Sequence, residues 1–394
     1  MKMINNSPIH EAYFGREQAA IKHNILEKYL EKLTAILSVN QLNFEFTYID
    51  CFAGPWQADP AQMHSTSIAI SLKVLEKCKK TIENRGGQAT IRALYLEQSD
   101  IAYPLLKQFL RENTPLGITA HSVHGEFVES RQAILDWIGS RGHAFFFVDP
   151  KGWTEVKVSV LAPLLARPHS EFVINFMYDF INRTASMDRH TQDITELLGE
   201  PVSNIITGGS RELSLLGAYR KNLKKQVPNR SNKYSVRTAY IKILDPNKDR
   251  TKYHLVYLTT HPKGIIKFME TIEGADVLQG EVRARIRDSK KAKKTLTSDL
   301  FADDEPYVDS SSSRANEPLM DDFWIRHIGT ELAIDETEFA NILEETNWFP
   351  SELQLSLSRL ISQKRIQNLD SLNLRPKRPL HFEVRGGERL RVLP

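Results

Sequence analysis

Asp50, Glu97, Glu126 and Asp149 each stand where a strand-like run gives way to small or polar residues. The run 43–49 enters Asp50-Cys51-Phe52-Ala53-Gly54-Pro55, and 92–96 stops at Glu97. A weaker run ends at His124-Gly125-Glu126-Phe127, and Ala144-Phe145-Phe146-Phe147-Val148 ends at Asp149-Pro150-Lys151-Gly152. Spacings near the ~30 residues of a strand–helix–strand unit make these four positions neighbours at one end of a parallel sheet. Ligands of such sheets bind in the crevice beyond the carboxyl ends of the strands.

Each station suggests its own chemistry. At Asp50–Pro55, Gly54 and Ala53 let backbone approach a ligand closely. Backbone N–H groups there suit the carboxylate of S-adenosylmethionine, with Asp50 and Phe52 beside it. The glycine fingerprint of dinucleotide proteins is absent, which argues against NAD or FAD. Glu97 suits the two hydroxyls of an adenosine ribose, and equally a helix cap. Gly125, Glu126 and Phe127 would edge the adenine, or form a plain loop. An acid directly after Val148, the end of a strand of three phenylalanines, is costly unless it faces a cleft. Asp149 with Pro150 would accept hydrogen bonds from a target amine, and Trp153 would stack on a base; a helix cap is the competing reading. The histidines show no metal-ligand spacing, so no metal is expected.

The elements that must position these residues follow from periodicity. A long amphipathic helix fits 11–38, with strands at 43–49, 92–97, 117–124, 144–149 and 171–176. Helices between them make a mostly parallel sheet with helices on both faces. A basic helical insertion at about 183–234 precedes sheet signals at 235–243 and 254–259, and His261-Pro262-Lys263-Gly264 then supports the site or caps a helix. Residues 291–320 read as a linker, carrying Asp303-Asp304-Glu305-Pro306 and Ser310–Ser313. In 321–394, helices at 321–333, 336–346 and 351–363 precede a hairpin of 381–384 with 390–393, a winged-helix arrangement whose role is DNA contact or protein docking.

At 394 residues, two domains are the natural expectation. The net charge of +3 says little. Its distribution says more, because 220–252 holds eleven Lys and Arg against two Asp. Lys221, Lys224, Lys225, Arg230, Lys233 and Arg237 are the residues expected to hold nucleic-acid phosphates, the alternative being a solvated surface. No run approaches a membrane span, no signal core opens the chain, and two cysteines suit a reducing compartment, so a cytoplasmic protein is expected.

The run Tyr48–Pro55, Glu97, Gly125-Glu126-Phe127, Phe147–Gly152 and Tyr257–Gly264 together resemble the motifs of the three-Cys-motif partner (TcmP) proteins, over about residues 10–290. That resemblance implies a Rossmann-like class I methyltransferase fold, S-adenosyl-L-methionine as cofactor, and a three-Cys-motif or other bacterial defence-system protein as partner. It is also similar, more distantly, to adenine-N6 methyltransferases acting on ribosomal RNA. Those carry Asp-Pro-Pro-Tyr where this chain has Asp149-Pro150-Lys151-Gly152. The expected function is methyl transfer to DNA or RNA. The alternative is a catalytically silent subunit of the same fold that binds nucleic acid or a partner protein.

Overall fold

Strands buried on both faces read as continuous apolar runs, and strands with one wet face alternate. The run Phe145–Val148 and the fully buried segment 170–176 are of the first kind, and they mark the centre of the sheet. The computed structural model describes residues 7–39, 41–54, 65–206, 210–228, 235–295, 317–371, 373 and 375–394.

Seven strands form the main sheet: β1 (Asn43–Asp50), β2 (Gln88–Glu97), β3 (Ile118–His124), β4 (His143–Val148), β5 (Ser170–Phe176), β6 (Arg237–Leu244) and β7 (Thr251–Thr259). Their order is β3-β2-β1-β4-β5-β7-β6. The first five are parallel, and β7 runs antiparallel to both β5 and β6. Between β1 and β4 the order of connection reverses, which opens a crevice at their carboxyl ends. The helices of this part are α1 (Glu17–Leu37), α2 (Ser67–Glu83), α3 (Ala102–Asn113), α4 (Phe127–Ile138) and α5 (Val158–Leu165), followed by the insertion α6 (Tyr178–Thr184), α7 (Thr191–Leu198), α8 (Val202–Ile205) and α9 (Arg211–Gln226). α1 buries Ile21, Ile25, Leu26, Tyr29, Leu30 and Leu33, the stripe expected from its spacing. In α3, Leu106, Phe109 and Leu110 face the core and Leu105 is exposed.

The next helix, α10 (Pro262–Thr295), runs into the start of the expected linker and carries Lys290–Lys294 as helix. His261 Nδ1 accepts from Lys263 N and caps it. Because β7 is antiparallel, its carboxyl end lies at the opposite edge from Asp50 and Asp149. His261-Pro262-Lys263-Gly264 is therefore a helix start and no part of the cleft. The acidic and serine blocks of the expected linker lie outside the described residues.

The C-terminal part contains α11 (Glu317–Ile328), β8 (Glu331–Ile334), α12 (Glu336–Thr346), α13 (Pro350–Ser362), β9 (Ile366–Asn368) and β10 (Glu388–Val392). Its sheet is antiparallel in the order β8-β10-β9. Two expectations are corrected. Gly329, at φ +62, ends the first helix early, and the following residues become a strand. The hairpin partner of β10 is Ile366–Asn368, since 381–384 is not a strand. Asp335 caps α12 by accepting from Thr337 N and Glu338 N. At the start of α13, Phe349 N donates to Glu352 at 2.8 Å, with Pro350 in the first turn.

This part closes the open edge of the main sheet. β6 is the edge strand, and an unpaired edge is a template for aggregation. The outward N–H of Thr238 donates to Glu344 Oε1 at 3.0 Å, and that of Tyr240 to Asn347 Oδ1 at 3.3 Å. Side chains of α12 and the residue after it thus do the work of a neighbouring strand. Arg237 is 1% exposed and donates to Asn341 Oδ1 at 2.8 Å, while Lys224 pairs with Glu344 at 2.8 Å. The expectation that Arg237 contacts phosphate is therefore corrected, because its guanidinium is spent inside this junction.

Candidate functional site

The carboxyl ends of β1, β2 and β4 bring three of the four sequence stations together. Cys51 N donates to Phe147 O at 3.0 Å and Ala53 N to Leu96 O at 2.8 Å, so the turn after β1 is laced to both neighbouring strands. Glu97 rises beside that turn. Its Oε1 accepts from Ser99 N at 2.8 Å, and its Oε2 lies over Gly54, where any Cβ would overlap it. A larger residue at position 54 would have to push the Glu97 carboxylate aside. The fourth station joins through backbone: Gly125 N donates to Glu97 O at 3.2 Å, with Gly125 at φ +148. Phe127 is buried and meets Phe52 at 4.9 Å, which ties the Gly54 turn to the start of α4. Glu126 is exposed at the head of that helix. Pro55 and the loop to His64 lie outside the described residues.

Asp50 is placed differently from the expectation. It is completely buried, and its oxygens accept from Phe52 N at 3.2 Å, Ser67 Oγ at 2.7 Å and Tyr48 OH at 3.3 Å. It shapes the turn from below, tying β1 to α2, and does not reach out to a ligand. Burial is the main reason its pKa is pushed up to about 6, against the pull of Ser67 and the Phe52 amide, with Asp149 adding to the rise. Cys51 beside it is buried, with its thiol raised by burial, which suits packing and not nucleophilic attack.

Asp149 follows β4 directly, and its carboxylate is fully engaged. Lys22 of α1 pairs with its Oδ2, and Asn175 Nδ2 at the end of β5 donates to its Oδ1 at 2.8 Å. Burial lowers the affinity of Lys22 for its proton, but the Asp149 carboxylate outweighs this and leaves the pKa above its usual value. The pair is therefore ionic. The position of Lys22 in the cleft was open in the sequence, as nothing in its helical spacing says that the long side chain crosses the strand ends. Asn175 gave no signal at all. Its Oδ1 is buried with no partner, an orphan acceptor beside the carboxylate. Trp153 is 9% exposed and packs edge-on to His190 at 6.1 Å, so the expectation of a free stacking face at this residue is corrected. Pro150 is buried and Lys151 exposed.

Of the expected phosphate-binding residues, Lys221 and Lys225 are exposed on α9, and Lys224 and Arg237 are held by α12. Arg230 and Lys233 lie outside the described residues. Among the described residues no three His, Cys, Asp or Glu side chains gather to hold a metal ion, and no helix is long and apolar enough to cross a membrane.

A parallel sheet that reverses between β1 and β4 and ends in one antiparallel strand at the penultimate position is the Rossmann-like methyltransferase fold, and this chain has it. No family model matches the sequence, and no curated protein does. Solved structures similar to it include a Legionella pneumophila protein at 11% identity, covering 64% of this chain and 91% of that one, with a TM-score of 0.36. An O-methyltransferase from Bacillus cereus in complex with SAH has 13% identity, 59% and 80% coverage and a TM-score of 0.30. A precorrin-6y C5,15-methyltransferase from Geobacter metallireducens has 9% identity, 59% and 87% coverage and a TM-score of 0.28. At such values the likenesses add nothing to what the strand order itself shows.

Two predictions follow from the engaged carboxylates. Lys22→Met strands Asp149 without its counter-ion and costs about 3 kcal/mol of unfolding free energy; adding Asp149→Asn returns most of it. Urea titration of both variants checks this, and equal losses in the single and the double variant contradict the pairing. For Asp50, a folded pKa above its ordinary value favours the folded state at low pH, and that contribution is lost as pH rises through about 6. The stability advantage of Asp50→Asn over the wild type therefore grows by about 2 kcal/mol between pH 4 and pH 7. A constant difference across that range excludes a raised Asp50.

Proposed function

We propose that the chain is an S-adenosyl-L-methionine-dependent methyltransferase that acts on nucleic acid, in the cytoplasm, within a modification or defence system of the three-Cys-motif partner type. The observation that carries the cofactor half is the contact between Glu97 and Gly54. A carboxylate at the end of β2 leans over a glycine at the end of β1, beside the backbone of the Gly125 turn. This is the arrangement that a ribose with two adjacent hydroxyls requires. Ala53, Gly54 and Phe52 would line the methionine part, and Glu126 and Phe127 the adenine. Asp50 holds the turn in shape beneath them.

The cofactor supplies a methyl group on a positively charged sulfur. That methyl would be open to an acceptor nitrogen held beside Asp149, and the chain's own part would be to position that nitrogen against it. Asp149 and Asn175 flank the place of the acceptor. With Lys22 on one carboxylate oxygen, the buried Asn175 Oδ1 is the acceptor group still without a partner. The order of elements at the C-terminus, helix, strand, two helices and two strands, supports a winged-helix reading. Its α13 begins against α10, where Ser351 Oγ donates to Glu273, and that favours protein docking over insertion of this helix into DNA.

One observation favours a second reading. The Lys22–Asp149 pair fills the position at which an amine-methylating enzyme needs an open carboxylate, as a catalytically silent subunit would allow. Incubation with methyl-labelled cofactor and separate pools of DNA, RNA and protein decides between them. Label in a nucleic-acid pool, lost with Glu97→Ala, is the expected result. Cofactor binding without label in any pool supports the silent subunit.

A further inference from the structure

α9 carries Gly217, Arg220, Lys221, Lys224 and Lys225 at spacings of three, four, seven and eight residues, which places them on one helix face. That face, with Thr238 of β6 and Glu344 of α12, lines a cavity of about 460 Å³. Four cations thus surround one carboxylate. Glu344 is already committed, since its Oε1 accepts from Thr238 N, Thr238 Oγ1 and Lys224 Nζ. Arg220 forms a fixed positive floor: it donates to Thr238 Oγ1 at 3.0 Å and to the carbonyls of Thr238 and Glu344, and its guanidinium stands 5.2 Å from the Tyr240 ring centre. Lys221 approaches an acid only at 3.8 Å, in Glu200. Gly217 interrupts a helix where alanine would be more stable by up to ~1 kcal/mol, and a Cβ there would meet nothing within 4 Å. The space above the floor is open.

We propose that this cavity is a phosphate-binding site, taking a phosphodiester group of a nucleic-acid strand. Lysine ammonium groups bind phosphate as mobile point charges, and here two of them, Lys221 and Lys225, border a cavity already made positive by Arg220 and Lys224. β6 stands three strands from β4, roughly 14 Å at ~4.8 Å per strand, so the site is separate from the Asp149 crevice. Thr238 pairs with Leu258 near the carboxyl end of β7, so the cavity lies toward the sheet edge opposite that crevice. This assignment rests on the nucleic-acid half of the reading above and is independent of the cofactor half.

The test titrates a fluorescein-labelled single-stranded oligonucleotide into the full chain at several salt concentrations, with inorganic tripolyphosphate as competitor. Two variants act on the cavity without touching the cofactor residues: Lys221→Ala with Lys225→Ala, and Gly217→Glu, which places an acid over the floor. Both are expected to weaken the oligonucleotide roughly tenfold, and the double variant to reduce the slope of log K against log salt by about 1.4, two contacts at ~0.7 each. Tripolyphosphate is expected to displace the strand. Wild-type affinity in both variants overturns the site and leaves the nucleic-acid reading standing. Tripolyphosphate bound in a Lys221- and Lys225-dependent way, with no oligonucleotide binding, supports a phosphate site, overturns the strand as its ligand and points to free polyphosphate.

Discussion

A carboxylate at the end of a strand buried on both faces must find a counter-charge or lose its own. Asp149 meets that constraint through Lys22, a residue 127 positions earlier. The pair fixes how α1 lies across the strand ends, because a lysine from that helix must arrive at β4. It also couples the neighbouring groups. Lys22 stands 6.0 Å from the Tyr253 ring centre and feels Asp50 as well. His23, the next residue, is pushed down to about 3 by burial and by the charges of Lys22 and Arg16, against a hydrogen bond to the Ser65 backbone, so it is neutral where it meets Tyr13. Burial sets the protonation of the cleft wall, and the charges of this ion pair add to it.

The second constraint is the open edge at β6. Sheets of this kind end in an edge strand, and here two side chains of the C-terminal part satisfy the outward N–H groups of Thr238 and Tyr240, while Gln279 of α10 takes that of Leu244. This explains why a basic stretch that looks uniform in sequence divides its work. Arg237 and Arg220 face inward and join the C-terminal part to the sheet, whereas Lys221 and Lys225 remain outside. Charge counting along a sequence cannot make that division, since it depends on which face of α9 and which side of β6 each residue takes.

Much of the fold was legible because its signals are local. Three phenylalanines before Asp149 marked a central strand, Gly54 marked the turn beneath Glu97, and the helical stripe of α1 was continuous. Failures came where long-range geometry decides. Asp50 reads as a ligand-facing acid, but three donors from β1, the turn and α2 hold it below the surface. Trp153 reads as a stacking platform, yet the insertion packs His190 against it. His261 lies at the wrong edge because β7 reverses, and nothing local announces a reversal. Residues 366–368 lack a strand-like run long enough to be seen, and pair only because β10 and β8 supply the rest of their sheet.

The account stands on Glu97 and Gly54 forming a ribose-binding corner. Calorimetric titration of S-adenosyl-L-methionine into the wild type and into Gly54→Ala tests it most directly. The added methyl overlaps Glu97 Oε2, so the account predicts binding to the wild type and its loss in the variant, with the fold retained by circular dichroism. Equal affinity in the two proteins, or no binding to the wild type, would contradict it.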